Sequence, residues 1–343
     1  MALSRVDNLE KSLSRKDPKV KKAYQQIIDD YVAKDYVRIV PKKEERQWFL
    51  PHFPVIREDK STTKVRVVFD AAAPHEGKSL NDTILPGPKL QRELSDALIQ
   101  FRRAPVALSA DISEMFLQVR LREEDRPFHR FLWRSFDTAR EPDVYEFQRF
   151  PFGNTSSPFC AQHVLQTHVQ AHNTEYPKAA ETVDNLMYVD DVLDLCETTQ
   201  EAQVLQCELS DVLRRGGFSL RKWSSNRPSV LKNVPFEDRS ASLQINDENL
   251  PAQKTSGVLW KTKEDIFTFK VEIPETKGSL TKRNVLSAIA TLFDPLQFLA
   301  PFTVRVKVLM QEIWMAGIGW EDVLLIQLQM KWKQWHSELP ELS

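Results

Sequence analysis

The sequence predicts an α+β fold that passes into a helical unit, and three observations predict it. Short apolar runs bounded by turn residues come in pairs up to about residue 273, the signature of hairpins. Amphipathic stretches at helical spacing lie between those pairs. From Thr281 onward the pattern is helical throughout, and no internal repeat or low-complexity segment breaks the order. An α+β body followed by helices is therefore the economical architecture.

Taken in order, Asp17-Pro18 reads as an N-cap with a first-turn proline. Val20, Ala23, Tyr24, Ile27, Ile28, Tyr31 and Val32 then repeat at helical spacing. Trp48 to Asp70 reads as two strands joined by the charged loop Arg57 to Thr63, a hairpin bearing Lys60, Lys64 and Arg66. A helix follows with Leu90, Leu94, Ala97, Leu98 and Phe101 on one face, stopped by Pro105. Val106 to Asp111 is a strand ending in an acid, then a short helical segment and a basic stretch from Arg120 to Arg134. Phe150 to Pro158 is a loop that opens a helix carrying His168 and His172 one turn apart; with no third ligand, a solvent-facing pair is the economical reading, not a zinc site.

Leu186 to Cys196 is a hairpin with Asp190 and Asp191 at its tip. Adjacent carboxylates repel and desolvate poorly, so they persist cheaply where a cation shares them; the plain alternative is a solvated turn. Thr198 with Glu201 makes a capping box for a helix that ends at Gly216-Gly217. Phe218 to Trp223 is a strand carrying Arg221 and Lys222, and Thr255 to Trp260 begins a hairpin whose second strand runs from Asp265 to Ile273. Helices are expected over Thr281 to Phe293, Thr303 to Ala316 and about Glu321 to Leu339.

Composition narrows the function. The 343 residues are 41% hydrophobic, enough for a sizeable core in two or three subdomains. A net charge of -1 excludes a wholly basic nucleic-acid binder, although residues 1 to 70 carry sixteen Lys and Arg against eleven Asp and Glu, a local +5. Cys160, Cys196 and Cys207 have neither metal nor disulfide spacing, and no secretory signal opens the chain, so a reducing, cytoplasmic setting is expected. The apolar stretch Val285 to Val304 is interrupted by Asp294, Pro295 and Pro301, so no membrane partner is expected. Zinc-protease, nucleophile-elbow, Walker and dinucleotide motifs do not occur.

Six segments stand in one order: V-R-V-V-F-D, L-S-A-D-I-S-E-M-F, F-P-F-G-N-T-S-S-P, Y-V-D-D, G-G-F-S-L-R-K-W and T-S-G-V-L-W. As a set they resemble the reverse transcriptase of BEL/Pao long-terminal-repeat retrotransposons. The segment from Val285 to Phe302 is similar to the one that follows the polymerase there, except that Gln297 stands where a glycine is expected. The resemblance implies a right-hand polymerase: a helical leader (1–47), fingers and a palm with an antiparallel sheet (48–250), then a primer-grip hairpin with a helical, thumb-like, Pao-type region (251–343).

It further implies that Asp111, Asp190 and Asp191 hold two Mg2+ ions, with Mn2+ as substitute, and that Lys222 protonates the leaving pyrophosphate. Lys64 and Arg66 would hold the incoming triphosphate, and Phe116 would exclude a 2′ hydroxyl. Phe152 stands where many viral relatives have glutamine, and Gly153 would help line the floor under the template base. Ser256, Gly257, Val258 and Trp260 match the primer grip. The partners implied are an RNA or DNA template with annealed primer and deoxynucleoside triphosphates, inside the cell in retrotransposon particles. Protease, RNase H and integrase portions of the polyprotein are expected to be absent. A silent fragment that only binds nucleic acid is the alternative.

Overall fold

The computed structural model describes residues 2–41, 46–59, 62–240, 253–255, 258–269 and 279–342. Two helices open the chain, α1 (Ala2–Ser14) and α2 (Pro18–Ala33), followed by strand β1 (Val37–Val40) and the hairpin β2 (His52–Asp59) and β3 (Thr62–Phe69). Helix α3 (Leu94–Gln100), strand β4 (Val106–Ile112) and the one-turn helix α4 (Met115–Gln118) come next. They lead to β5 (Arg130–Trp133), β6 (Asp143–Phe147), α5 (Ser157–Ala171) and α6 (Pro177–Asn185). Then come β7 (Met187–Tyr188), β8 (Asp191–Cys196), α7 (Thr199–Arg215) and β9 (Leu220–Ser225). Short strands β10 (Gln253–Thr255), β11 (Val258–Lys261) and β12 (Ile266–Thr268) precede α8 (Lys282–Ile289), α9 (Ala300–Met315) and α10 (Ile326–Ser337).

The chain divides into two compact units. One comprises Met1–Gln91, Ser113–Glu175 and Val212–Ser219. Its α2 starts as its sequence dictates, with the Asp17 side chain accepting from Lys19 N and Pro18 in the first turn, where a missing N–H costs nothing. The leader is more than helical, because β1 pairs antiparallel with β6, and β6 with β5. Strand β5 lies at the end of the segment that the sequence shows as basic, and β6 follows it. They were hidden because Arg130, directly across from Glu146, is buried with it as an ion pair of 2.6 Å, with Arg38 adding a second cation at 3.0 Å. The core joins Leu13, Tyr24 and Ile28 from the leader to Phe69, Phe131, Trp133 and Phe147. Each such side chain contributes about 1.5–3 kcal/mol of burial.

The other unit comprises Arg92–Ile112, Tyr176–Asp211 and Leu220–Ser343. Its centre is a four-stranded antiparallel sheet in the order β7-β8-β4-β9. Strand β4 is buried along nearly its whole length, as a central strand must be, and Asp111 is half-buried near its end. A second sheet, β10-β11-β12, packs Val258 and Trp260 with Phe101, Ala107 and Leu193. Helices α8, α9 and α10 close a separate core around Val306, Ile313, Trp332 and Trp335. Among the described residues no helix is long and apolar enough to cross a membrane.

One expectation is corrected in α5. His168 and His172 are half-buried rather than solvent-facing, and each donates a ring N–H to a carbonyl: His168 to Val212 O at 2.7 Å and His172 to His168 O at 2.9 Å. A second half-buried hydrogen-bonding role was invisible in a pair of histidines spaced one helical turn apart.

Candidate active site

The β7–β8 hairpin turns through two residues, Val189 and Asp190, with Tyr188 paired to Asp191. Val189 has φ of 56°, the conformation that a tight II′ turn requires at its first central position and that a β-branched residue adopts at a cost of about 1–3 kcal/mol. The turn is tied down because Ile112 N–H donates to Asp190 O at 2.8 Å. Beside it, Asp111 stands directly opposite Asp191. Directly opposed residues of an antiparallel pair share a face, with Cβ atoms about 4.5–5.5 Å apart. Two carboxylates are therefore held on one face of the sheet, where their repulsion must be offset by a cation.

Strand β9 supplies one. Ser109 pairs with Ser224 and Asp111 with Arg221, so one residue of β4 faces two of β9 between these pairs. The register shift is a β-bulge, and Lys222 within it has φ of 56°. Lys222 Nζ lies 2.9 Å from Asp111 Oδ2. Arg221, the neighbour that competes for this register in the sequence, turns to Asp238 at 2.9 Å instead. The bulge thus decides which of two adjacent bases meets the catalytic candidate.

The three carboxylates read as one ligand set are only partly assembled. Among the described residues no three His, Cys, Asp or Glu side chains converge as a metal cluster. Asp111 and Asp191 share a face, Asp190 occupies the turn, and an ammonium sits on one Asp111 oxygen. The donor chemistry nevertheless suits a hard divalent ion, since carboxylate oxygens are what Mg2+ takes.

On the same β8 strand the sequence hid a further acid. Asp194 is buried, and burial raises its carboxyl above the ordinary carboxylate value, with the Thr182 hydroxyl and the Leu195 N–H as its hydrogen-bond partners. Thr182 Oγ1 lies within hydrogen-bond reach of both Asp194 and Lys178 O, yet a hydroxyl has one proton. The network closes when Asp194 keeps its proton and donates it to Thr182, which donates onward to Lys178 O. The signal was an acid inside the otherwise apolar run V-L-D-L-C.

The nucleotide-contact candidates lie in the first unit. Phe116, on α4, is half-buried with its ring edge-on to Phe152 at 5.0 Å, and Phe152 is 41% exposed. Its helix is entered through Glu114 in a left-handed conformation, φ 51°, which Lys34 at 2.8 Å and the Tyr36 hydroxyl at 2.9 Å hold. Gly153 has φ of 107°, and a Cβ there would lie 2.2 Å from Phe69 O, so close backbone approach demands glycine. Asn81 clamps this loop, donating to Gly153 O at 3.0 Å and accepting from Thr155 N at 2.9 Å. Arg66 is exposed on β3 opposite Val55, and Lys64 stands opposite Arg57.

Two of the four primer-grip candidates lie in the described part of the small sheet. Val258 and Trp260 are buried, and Trp260 packs edge-on against Phe101 at 5.0 Å while its Nε1–H donates to Asp265 at 3.0 Å. Their side chains anchor the small sheet, because alternation on a half-covered strand turns these apolar residues inward. Ser256 and Gly257, with Lys60 and Lys277, lie outside the described residues.

Residues 38–223 match the family model described as reverse transcriptase (RNA-dependent DNA polymerase). Residues 281–343 match one described as a Pao retrotransposon-like RNaseH-like domain. The expectation that no RNase H portion is present is corrected to that extent. Among the described residues this segment consists of helices and turns with one isolated bridge, Thr281 to Val323. No curated protein matches the sequence. Many solved structures share the fold, two foamy viral ones among them. The foamy viral protease-reverse transcriptase dRH in complex with ds DNA aligns with a TM-score of 0.61 at 17% identity, over 95% of this chain and 49% of that one. The foamy viral protease-reverse transcriptase in complex with an RNA/DNA hybrid aligns at 0.58 and 16%, over 94% of this chain and 37% of that one. The chain thus spans about half or less of the length of these relatives. With the polymerase match covering more than half of its residues, and a Pao-type segment behind it, the chain belongs to the reverse transcriptase (RNA-dependent DNA polymerase) family in its Pao retrotransposon branch.

Proposed function

We propose that this chain is an RNA-directed DNA polymerase, adding deoxynucleotides to a primer annealed to an RNA or DNA template. The observation that carries the proposal is the pairing of Asp111 with Asp191 beside the strained Val189-Asp190 turn, within the matched family segment. The family uses divalent metals. Two Mg2+ ions, or Mn2+ in their place, would be held by Asp111, Asp190 and Asp191, where they would stabilise the attacking and leaving oxygens of an in-line displacement at phosphorus. Arg66 supplies a planar fork and Lys64 a point charge for the triphosphate. Phe116 lies under the sugar, and the ring of Phe152 gives it an apolar edge. Lys222 donates a proton to departing pyrophosphate. Duplex binding proceeds by counterion release and weakens steeply with salt.

The test is primer extension on poly(rA)/oligo(dT) with Mg2+. Asp111→Asn and Asp190→Asn are each expected to lower the extension rate by at least ~10³-fold, about 4 kcal/mol of transition-state stabilisation, with duplex affinity little changed. Near wild-type extension by Asp190→Asn rules the assignment out.

A further inference from the structure

Lys222 is placed on Asp111 by two costly local features. A bulge inserts an extra residue into β9, and the backbone of Lys222 enters the left-handed region that a side chain rarely adopts. An exposed ion pair alone does not repay such strain, since surface pairs contribute little. The Lys222 side chain is 66% exposed and that of Asp111 only 23%, so the ammonium reaches from solvent onto an acid fixed in the sheet. Asp111 also faces Asp191 across the ladder, so the ammonium offsets a repulsion built into the register. Its neighbour Arg221 is engaged with Asp238, which leaves Lys222 as the base that meets this oxygen.

We infer that Lys222 is a tethered counter-cation that competes with a divalent ion for Asp111 and is released toward the substrate when the ion binds. This inference rests on the reading of Asp111 as a metal ligand. Asp111 Oδ2 accepts the Nζ–H bond at 2.9 Å, so an ion that takes this oxygen must displace the ammonium or meet its repulsion. Displacement frees a flexible, strongly hydrated point charge next to the reacting phosphates, where the proposed proton donor is needed. Metal entry and delivery of the donor are thereby coupled in one exchange of partners.

The experiment uses the full chain without nucleic acid. Mn2+ binding is measured by calorimetry for wild type, Lys222→Met, Lys222→Arg and Asp111→Asn, with melting temperature followed for each with and without Mg2+. Lys222→Met is expected to tighten Mn2+ binding by ~3- to 10-fold, since a competing positive charge is removed. Lys222→Arg, which keeps the charge, is expected to remain within ~2-fold of wild type. In the metal-free protein Lys222→Met is expected to melt below wild type, and Mg2+ to close that gap, because the ion then offsets the Asp111–Asp191 repulsion. If Asp111→Asn abolishes Mn2+ binding while Lys222→Met leaves it unchanged or weaker, the competition is wrong and the metal-ligand reading stands. If Asp111→Asn binds Mn2+ like wild type, the metal-ligand reading itself falls.

Discussion

At the scale of single residues, the sequence position of Phe116 left two roles open, a sugar gate or a core phenylalanine. The side chain is half-buried, edge-on to the 41%-exposed Phe152, so it lacks the full burial of its neighbours Met115 and Leu117. That exposure favours contact with a ligand over packing. Rejection by collision needs only a bulky ring, so Phe116→Val is expected to raise ribonucleotide incorporation relative to deoxynucleotide by ~10- to 100-fold. Single-nucleotide extension, compared as ratios of kcat/KM, checks it; an unchanged ratio in a variant still active with deoxynucleotides returns Phe116 to a packing role. Gly153 carries a backbone requirement of its own, since a Cβ there would collide with Phe69 O.

At the scale of elements, turns decide what strands can present. Gln297 has φ of 58°, in a turn where Asp294 accepts from Phe298 N at 3.0 Å and Leu299 N at 2.7 Å before α9 begins. The glycine expected there by resemblance thus had a conformational basis, and the glutamine departs from it. Replacing it by glycine removes left-handed strain of about 1–2 kcal/mol and returns part of that through unfolded-chain entropy. Gln297→Gly is accordingly expected to stabilise the protein by about 0.5–1 kcal/mol in urea unfolding. A loss of stability would mean that the Gln297 side chain makes contacts that outweigh the strain. The capping box of α7 was legible down to its atoms, with Glu201 N–H donating to Thr198 Oγ1 at 3.2 Å and Thr198 N–H to Glu201 at 3.3 Å. Such a motif lies within four residues, so sequence suffices to see it.

At the scale of the whole molecule, two buried carboxyl groups make stability depend on pH in opposite senses. Burial pushes Glu146 up, but hydrogen bonds from Arg130 and Arg38 outweigh it and leave it below its ordinary value. The folded state then binds fewer protons than the unfolded chain, so this stability is present above the ordinary carboxylate range and is lost as pH falls through the folded value. Asp194 is raised by burial, so the folded state holds the extra proton; its stability is present below the ordinary value and is lost as pH rises through the folded one. Asp194→Asn preserves a neutral donor toward Thr182. It is expected to match wild type within ~1 kcal/mol at acid pH and to become the more stable of the two as pH rises, in chemical unfolding at a series of pH values. A constant difference across pH would show that Asp194 is not held protonated.

What the sequence determined by itself was local and periodic. The α2 start at Asp17-Pro18, the β2–β3 and β7–β8 hairpins, the α7 capping box and the strand ending at Asp111 follow from propensities and spacings within a few residues. The order of six short segments identified the family for the same reason. Only the tertiary structure decided partners far apart in the chain. It set Arg130 against Glu146 as a buried pair, turned Val258 and Trp260 into a core, and chose Lys222 over Arg221 for Asp111. Registers and bulges fix such choices, because a shift of one residue exchanges the faces of a strand, and no local pattern states which neighbouring strand a residue will meet.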